Sequence, residues 1–471
     1  MLRERDMDAR EEDVEQGAAG KHSFGDALRR DAEQTRGGGG GGGDAEVEDE
    51  AESGQNAYAG AKDEAESPSE ELLAAKKSSG SGSSNRGARN GPESAKEKAK
   101  RWAKKTKAWL IKWHLPLLLI FFIIIGYFRP IPGSKANDLD LGGACFTSSL
   151  CVWDSIGALL VTGIFVISGL KLKTEAIKKA LKVWPAGLYG FISILFVTTC
   201  MSFVVVLGKY GNIPEFSIGL ALFCSMPTTL SSGPILVGQA KGNVALALML
   251  TVSTNIIGVF TAPLFVSSSL SVYQKYRGDI GGGSSDIDVS VDPVPIILQL
   301  IFTILVPLAV GKVLGMIKPV AAFVKRFSLE LKLLSSLMLV LIPWMKISSS
   351  AESFSQVDGI SFVLMWVTSI AIHVFYLAFN FVFAQYVLRM ALPEKTAVVI
   401  VCSQKTLPVA ITILQFLPTE AIGSAGLVTI PVVVSHLMQI LIDAVVASRV
   451  AVMVTKQEVL DAASSSTSGS R

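Results

Sequence analysis

The chain has 471 residues, 50% hydrophobic and only 18% charged, with a formal net charge of +3. That is the composition of a membrane protein diluted by a polar segment, and the ten apolar runs found below set aside a buried soluble bundle. The net charge decides nothing, because the distribution of charge matters more.

From Met1 to about residue 95 there are almost no aromatic or β-branched residues, but there are acidic blocks ("REEDVEQ", "DAEVEDEAE"), seven glycines from Gly37 to Gly43, and the run "SSGSGSSNRG". A segment so poor in apolar surface cannot offset its ordering entropy, and it reads as a disordered tail. Met1 is followed by charge rather than by an apolar core, which speaks against a signal peptide; the abundance of acids speaks against an organellar transit peptide. Next, at residues 96–109, comes a basic segment whose core "KEKAKRWAKKTK" holds seven basic residues in twelve. It reads as a juxtamembrane patch for anionic lipid headgroups, at roughly 1 kcal/mol per basic residue, in preference to a nucleic-acid patch.

Ten apolar stretches follow, each about long enough to cross a hydrocarbon core: 110–128, 152–170, 184–208, 216–240, 243–266, 293–315, 333–347, 360–387, 395–417 and 421–448. Thirteen basic residues belong to the loops on one side, the side of the basic N-terminal segment, and six to the other. The basic side is cytoplasmic, so both termini are expected there. Cys145 and Cys151 share the first loop and could pair if that side is oxidising. The five cysteines show no metal-ligand spacing. "KTEAIKKALKVW", before span three, reads as an interfacial amphipathic stretch.

Span four reads "FSIGLALFCSMPTTLSSGPILVGQAKGN", with Pro227 and Pro234 bracketing a Thr/Ser/Gly segment at its middle. Span nine reads "AVVIVCSQKTLPVAITILQFL", with a polar interruption from Ser403 to Pro408. Proline removes an amide donor and clashes with the preceding turn, so both helices are expected to be interrupted. The interruptions lie about 175 residues apart, each in the fourth of five spans. Interrupted segments at matching positions of two halves point to a transporter built from repeats, and an odd number of spans per half makes the repeat inverted. Unwound backbone at membrane depth is tolerated only inside protein or along a watery cavity. Structural proline kinks are the plainer alternative. Lys405 in mid-span costs about 2.5–3.5 kcal/mol on insertion scales and should face the protein interior. It either satisfies carbonyls at a half-helix end or takes the place of a bound cation. In span ten, His436, Gln439 and Asp443 share a helix face, as a proton relay or as packing groups. Thr251, Ser253, Thr254 and Asn255 of span five read as interhelical glue unless they face the crossing. His114 and His373 read as isolated interfacial and packing residues. Zinc-protease, nucleophile-elbow and phosphate-loop motifs are missing from the sequence, and no enzyme is expected.

On "MPTTLSSGPILVGQAKGNVALALMLTVSTN" (226–255) and "CSQKTLP" (402–408) the chain resembles the bile acid/sodium symporter superfamily. "SGLKLKTEAIKKAL" and "IPVVVSHLMQILI" resemble the branch containing the seventh member of solute carrier family ten. The resemblance covers about residues 110 to 450 and implies ten spans, with four and nine crossed and two sodium ions near the crossing. By motif, Ser232 and Thr251 are similar to sodium-ligand positions, and Gln404 to the glutamine of the span-nine motif. The glutamate before that glutamine has no counterpart among Ile400, Val401, Cys402 and Ser403. The asparagine after it is replaced by Lys405, and the family's asparagine near Ser232 aligns with Gly233. Losing an anion and gaining a cation weakens a two-sodium site, so sodium and a proton both stand as coupling ions. The branch implies a plasma-membrane, Golgi or ER protein linked to calcium homeostasis.

The expectation is therefore an all-α membrane protein: ten helices in two five-helix inverted repeats at 110–450, flanked by tails at 1–95 and 451–471. It carries a small anionic organic solute by alternating access. Thr228, Thr229, Ser231, Ser232, Thr251, Ser403, Gln404, Lys405 and Thr406 line its site, and Ser232, Thr251 and Gln404 are the sodium candidates. No nucleic acid is expected as partner. The plasma membrane is favoured, with Golgi, ER or plastid envelope as alternatives. Two rival functions are a non-transporting membrane regulator and a channel.

Overall fold

The computed structural model describes residues 95–147, 150–172, 184–230, 232–281 and 291–468. The N-terminal tail, Ser231 and the interfacial stretch before span three (173–183) lie outside the described residues, as do the side chains of Cys145 and Cys151.

Helix α1 (Ala95–Phe128) carries the basic segment and the first span in one rod. Arg129 breaks it, Pro130 opens α2 (Pro130–Asn137), and the apolar part of α1 and α2 meet at a bend of 97°. A two-stranded hairpin follows, β1 (Ala144–Thr147) antiparallel to β2 (Leu150–Val152), with Cys145 opposite Cys151 in the register. This hairpin lies in the first loop of an otherwise helical membrane domain, and span two begins after it, at α3 (Ile156–Leu170). The physical reason is local: Trp153 takes a left-handed φ of 62°, and Ser155 then caps α3 by accepting a bond from the Ala158 amide at 3.3 Å.

The chain continues through α4 (Trp184–Val206), α5 (Pro214–Cys224), α6 (Ser232–Gln239), α7 (Val244–Gly281) and α8 (Pro293–Gly315). A short helix, α9 (Lys318–Arg326), has no buried residue and lies where the sequence suggested only a loop. Then come α10 (Ser328–Ser349), α11 (Gly359–Val387), α12 (Leu392–Ser403), α13 (Leu407–Phe416) and α14 (Ala425–Ser468). Helix α14 runs on through 451–468, which the sequence suggested as a tail; Lys456, Gln457, Glu458, Leu460 and the alanines there are good helix formers.

Among the described residues, seven helices are long and apolar enough to cross a membrane, eight if the bent α1/α2 pair counts as one span. α3 and α5 are shorter apolar helices. The outer surface is apolar, with Phe121, Val204, Ile360, Val363 and Phe375 all exposed, as suits a bilayer rather than water. The most apolar stretch of α12 and α13 together is 89% buried and that of α11 only 22%, so the interrupted span is central and α11 peripheral.

Close approach relies on small residues. A Cβ on Gly169 of α3 would sit 2.2 Å from the Leu308 carbonyl of α8, and one on Gly311 would sit 2.2 Å from Val166 O. Gly219 of α5 meets Val428 and Pro431 of α14 in the same way.

Proline alone does not break these helices. Pro116, Pro263, Pro343 and Pro431 lie inside α1, α7, α10 and α14, which continue through them. Pro408 occupies the first turn of α13 and Pro234 that of α6, where a missing amide costs nothing. The breaks fall where polar side chains stand ready to bond the freed backbone.

Candidate functional site

The break between α5 and α6 and the break between α12 and α13 touch. The amide of Thr406 donates to Pro227 O at 2.9 Å, and the Thr228 hydroxyl donates to Val401 O at 2.6 Å. Val401 O belongs to the last turn of α12, where it also accepts from the Gln404 amide at 3.4 Å. The Asn255 amide group of α7 completes the crossing, donating to Thr228 O and Thr251 O at 2.7 Å each.

Gln439 of α14 splints the second break. Its Oε1 accepts from the Lys405 amide at 2.9 Å and its Nε2 donates to the Lys405 carbonyl at 2.6 Å. A carboxamide thus replaces the two bonds a continuous helix would have supplied to the backbone of that residue. His436 Nδ1 lies 2.9 Å from the same Nε2.

Beside this backbone clamp runs a line of side chains. Ser232 Oγ donates to Thr229 Oγ1 at 2.9 Å, and the Thr229 hydroxyl donates to Gln404 Oε1 at 2.5 Å, with Ser232 also 3.4 Å from that oxygen. Gln404 Nε2 donates to Asp443 Oδ2 at 2.6 Å, and His373 Nε2 lies 2.8 Å from Asp443 Oδ1. Asp443 is fully buried, and all its bonding partners come from α11 and the α12/α13 break.

Lys405 is 1% exposed. Its ammonium donates to Ile194 O at 3.3 Å and to Thr199 Oγ1 at 3.2 Å, and lies 5.7 Å from the centre of the Tyr376 ring. The π turn at Ser193–Val197 in α4 opens the normal bonding pattern and leaves Ile194 O facing this charge. Within about 6 Å an aromatic face also attracts a cation. Among the described residues no carboxylate pairs with Lys405, so the buried amine is held by neutral oxygens and a ring. A small cavity opens beside it, lined by Cys224, His373, Tyr376, Lys405, Ser435 and Gln439 among others.

Of the residues singled out in the sequence, Thr228, Thr229, Ser232, Gln404 and Lys405 meet at the crossing, and Gln439 and Asp443 join them. Ser403 lies next to them, accepting from Asn380 Nδ2 at 3.2 Å. Thr406 contributes its amide. Thr251 is buried, but its hydroxyl donates within its own helix to Leu248 O at 3.0 Å, so of the three sodium candidates only Ser232 and Gln404 touch. His373 is not the isolated packing residue the sequence suggested, because its imidazole reaches Asp443. Asn380, Tyr376 and Thr199 also belong to the site without having been singled out. The one signal for them was a polar group inside an apolar run. Among the described residues, no three His, Cys, Asp or Glu cluster as a metal site.

A family model described as the SBF-like CPA transporter family matches residues 113–452. The chain is 37% identical over 338 residues to the "Probable sodium/metabolite cotransporter BASS4, chloroplastic" of Arabidopsis thaliana, covering 70% of this chain and 71% of that protein. It is 27% identical over 307 residues to the "Solute carrier RCH1" of Candida albicans, covering 62% and 71% of the two chains. It is also 27% identical over 299 residues to the "Sodium/bile acid cotransporter 7" of Rattus norvegicus, covering 62% and 82%.

Proposed function

The chain belongs to the SBF-like CPA transporter family, and we propose from that premise that it is a secondary carrier for a small organic anion, worked by alternating access around the crossed breaks. Its ten apolar elements form two inverted five-span repeats, α5/α6 and α12/α13 are the fourth span of each, and both termini are cytoplasmic. The observation that carries this reading is the buried Lys405 of the second break, whose side chain has no carboxylate partner among the described residues.

An anion entering the cavity beside Lys405 would meet a positive charge already held in place by Ile194 O, Thr199 and Tyr376. In a water-poor site such a preorganised charge is worth far more than one in solution. Half-helix termini add partial charges of either sign at the crossing. The solute completes a charge balance that the protein alone leaves open.

For coupling, the buried Asp443–His373 pair is a proton-binding group wired through Gln404 to Thr229 and Ser232. A proton is the coupling ion in this reading, with Lys405 standing where relatives of the symporter superfamily carry an asparagine. The relatives named above as sodium cotransporters leave sodium as the competing outcome.

The test is uptake of a panel of labelled small carboxylates into proteoliposomes, under an inward proton gradient and under an inward sodium gradient. Saturable uptake, stimulated by solute on the far side and driven by protons without sodium, is expected. Sodium-dependent uptake would transfer the coupling role to the Ser232 and Gln404 oxygens. No uptake of any solute would favour the non-transporting regulator.

A further inference from the structure

A second cavity of about 150 Å³ lies away from the crossing, at the far end of α13. Asn137, Asp154, Ser155, Lys346 and Gln415 supply most of its wall. Four elements converge there: the end of α2, the first turn of α3, the last turn of α10 and the last turn of α13. This end of the bundle is also where α14 begins, with Gly426 N donating to Ser350 Oγ at 3.1 Å, so the cavity is opposite the C-terminal end of that helix.

The carboxamide of Gln415 is the telling group. Both its Oε1 and its Nε2 are buried and have no hydrogen-bond partner among the described residues. Buried polar atoms in native proteins are almost always paired, and the exceptions call for an explanation. The chain has made room for this group: a Cβ on Gly157 would lie 2.4 Å from Gln415 Nε2. Lys346 and Asp154 repeat the pattern. Lys346 feels the charges of Asp138 and Asp154, yet among the described residues neither its ammonium nor the Asp154 carboxylate closes a hydrogen bond or an ion pair. Lys346, Asp154 and Gln415 therefore line a shared space, and the terminal groups of all three lack a bonding partner among the described residues.

We propose that this cavity binds a small zwitterion, an α-amino acid or a solute of like size, with its carboxylate on Lys346, its ammonium on Asp154 and the Gln415 carboxamide bonding between them. A simple anion would leave Asp154 against it and a simple cation would leave Lys346, whereas a zwitterion satisfies both. A cavity on the order of 150 Å³ accommodates a molecule the size of benzene, which admits glycine, alanine or serine and excludes long side chains. The site is separate from the crossing and does not depend on what is carried there.

The test is equilibrium binding of radiolabelled alanine to the purified full chain in nanodiscs, with glycine, serine, acetate and methylamine as competitors. Saturable binding is expected, displaced by glycine and serine, with acetate and methylamine at least tenfold weaker. Lys346→Gln and Asp154→Asn should each weaken alanine binding at least tenfold, and Gln415→Leu should do the same. The proposal is overturned by a lack of saturable binding, by acetate or methylamine competing as well as glycine, or by unchanged affinity in both charge variants. Binding lost in Lys405→Met and kept in Lys346→Gln would move the solute to the crossing and overturn it equally. Should a variant fail to fold, the competitor series on the unaltered chain still decides.

Discussion

His373 and Asp443 are 70 residues apart in the chain and meet at 2.8 Å, both buried, with Gln404 on the other carboxylate oxygen. Removing one partner of a buried hydrogen-bonded pair strands the other at a cost of about 1–3 kcal/mol. His373→Ala and Asp443→Ala should therefore each lower the thermal unfolding midpoint, and the double variant should be less than additively destabilised, with a coupling of about 0.5–3 kcal/mol. Unfolding followed by intrinsic fluorescence in detergent measures all three. Strict additivity would mean that the two groups do not act as a pair.

Lys405 poses the opposite case, because no carboxylate pairs with it among the described residues. Its burial costs stability, on the order of 2.5–3.5 kcal/mol on insertion scales, and only a function would retain it. Lys405→Met should raise or preserve the unfolding midpoint while reducing anion uptake at least tenfold, a trade of activity for stability. A variant that unfolds earlier yet transports normally would make the lysine a structural prop.

The seam between α3 and α8 depends on Gly169 and Gly311, where an added Cβ would meet backbone oxygen at 2.2 Å. Backbone cannot yield as a flexible side chain does. Gly311→Ala should cost about 1–3 kcal/mol as overpacking and lower the yield of monodisperse protein. Gly359, where a Cβ would meet nothing within 4 Å, is the control, and Gly359→Ala should be tolerated.

Outside the spans, Asp358 caps α11. It accepts from the Ser361 amide at 3.1 Å and also from the Ser361 hydroxyl, and those bonds from Ser361 hold its carboxyl below the usual carboxylate range. The folded-state value is depressed, so the stabilisation is present above the unfolded carboxylate pKa and is lost as pH falls through the folded one. Asp358→Ala should unfold earlier than the unaltered chain at neutral pH, and the gap should close on acidification. A gap that is the same at neutral and acidic pH would show that the cap does not depend on ionisation.

The positions of the spans were legible because a bilayer demands long apolar runs, and the two breaks because a cluster of consecutive polar residues adjoins proline in the fourth span of each half. The pairing of His373 with Asp443 was not legible. Both sit in apolar stretches, and no periodicity links residues on different helices. The Gln439 splint was half legible: its face of α14 was marked by His436 and Asp443, but its role depends on the backbone of a residue 34 positions earlier. The hairpin at 144–152 was missed because its last strand merges with the apolar start of span two, and only the left-handed Trp153 separates them. Helix α9 is not legible for a different reason: nine residues are too few to stand out from a basic loop, and none of them is buried.

The two bonds that join Pro227 to Thr406 and Thr228 to Val401 have a mechanical corollary. Parting the breaks would orphan backbone groups at about 1–3 kcal/mol apiece, whereas sliding one greasy face past another ruptures no such bond. On the alternating-access reading proposed above, the centre of the molecule is then a rivet, and the give belongs to the lipid-facing staves and not to the polar X they enclose.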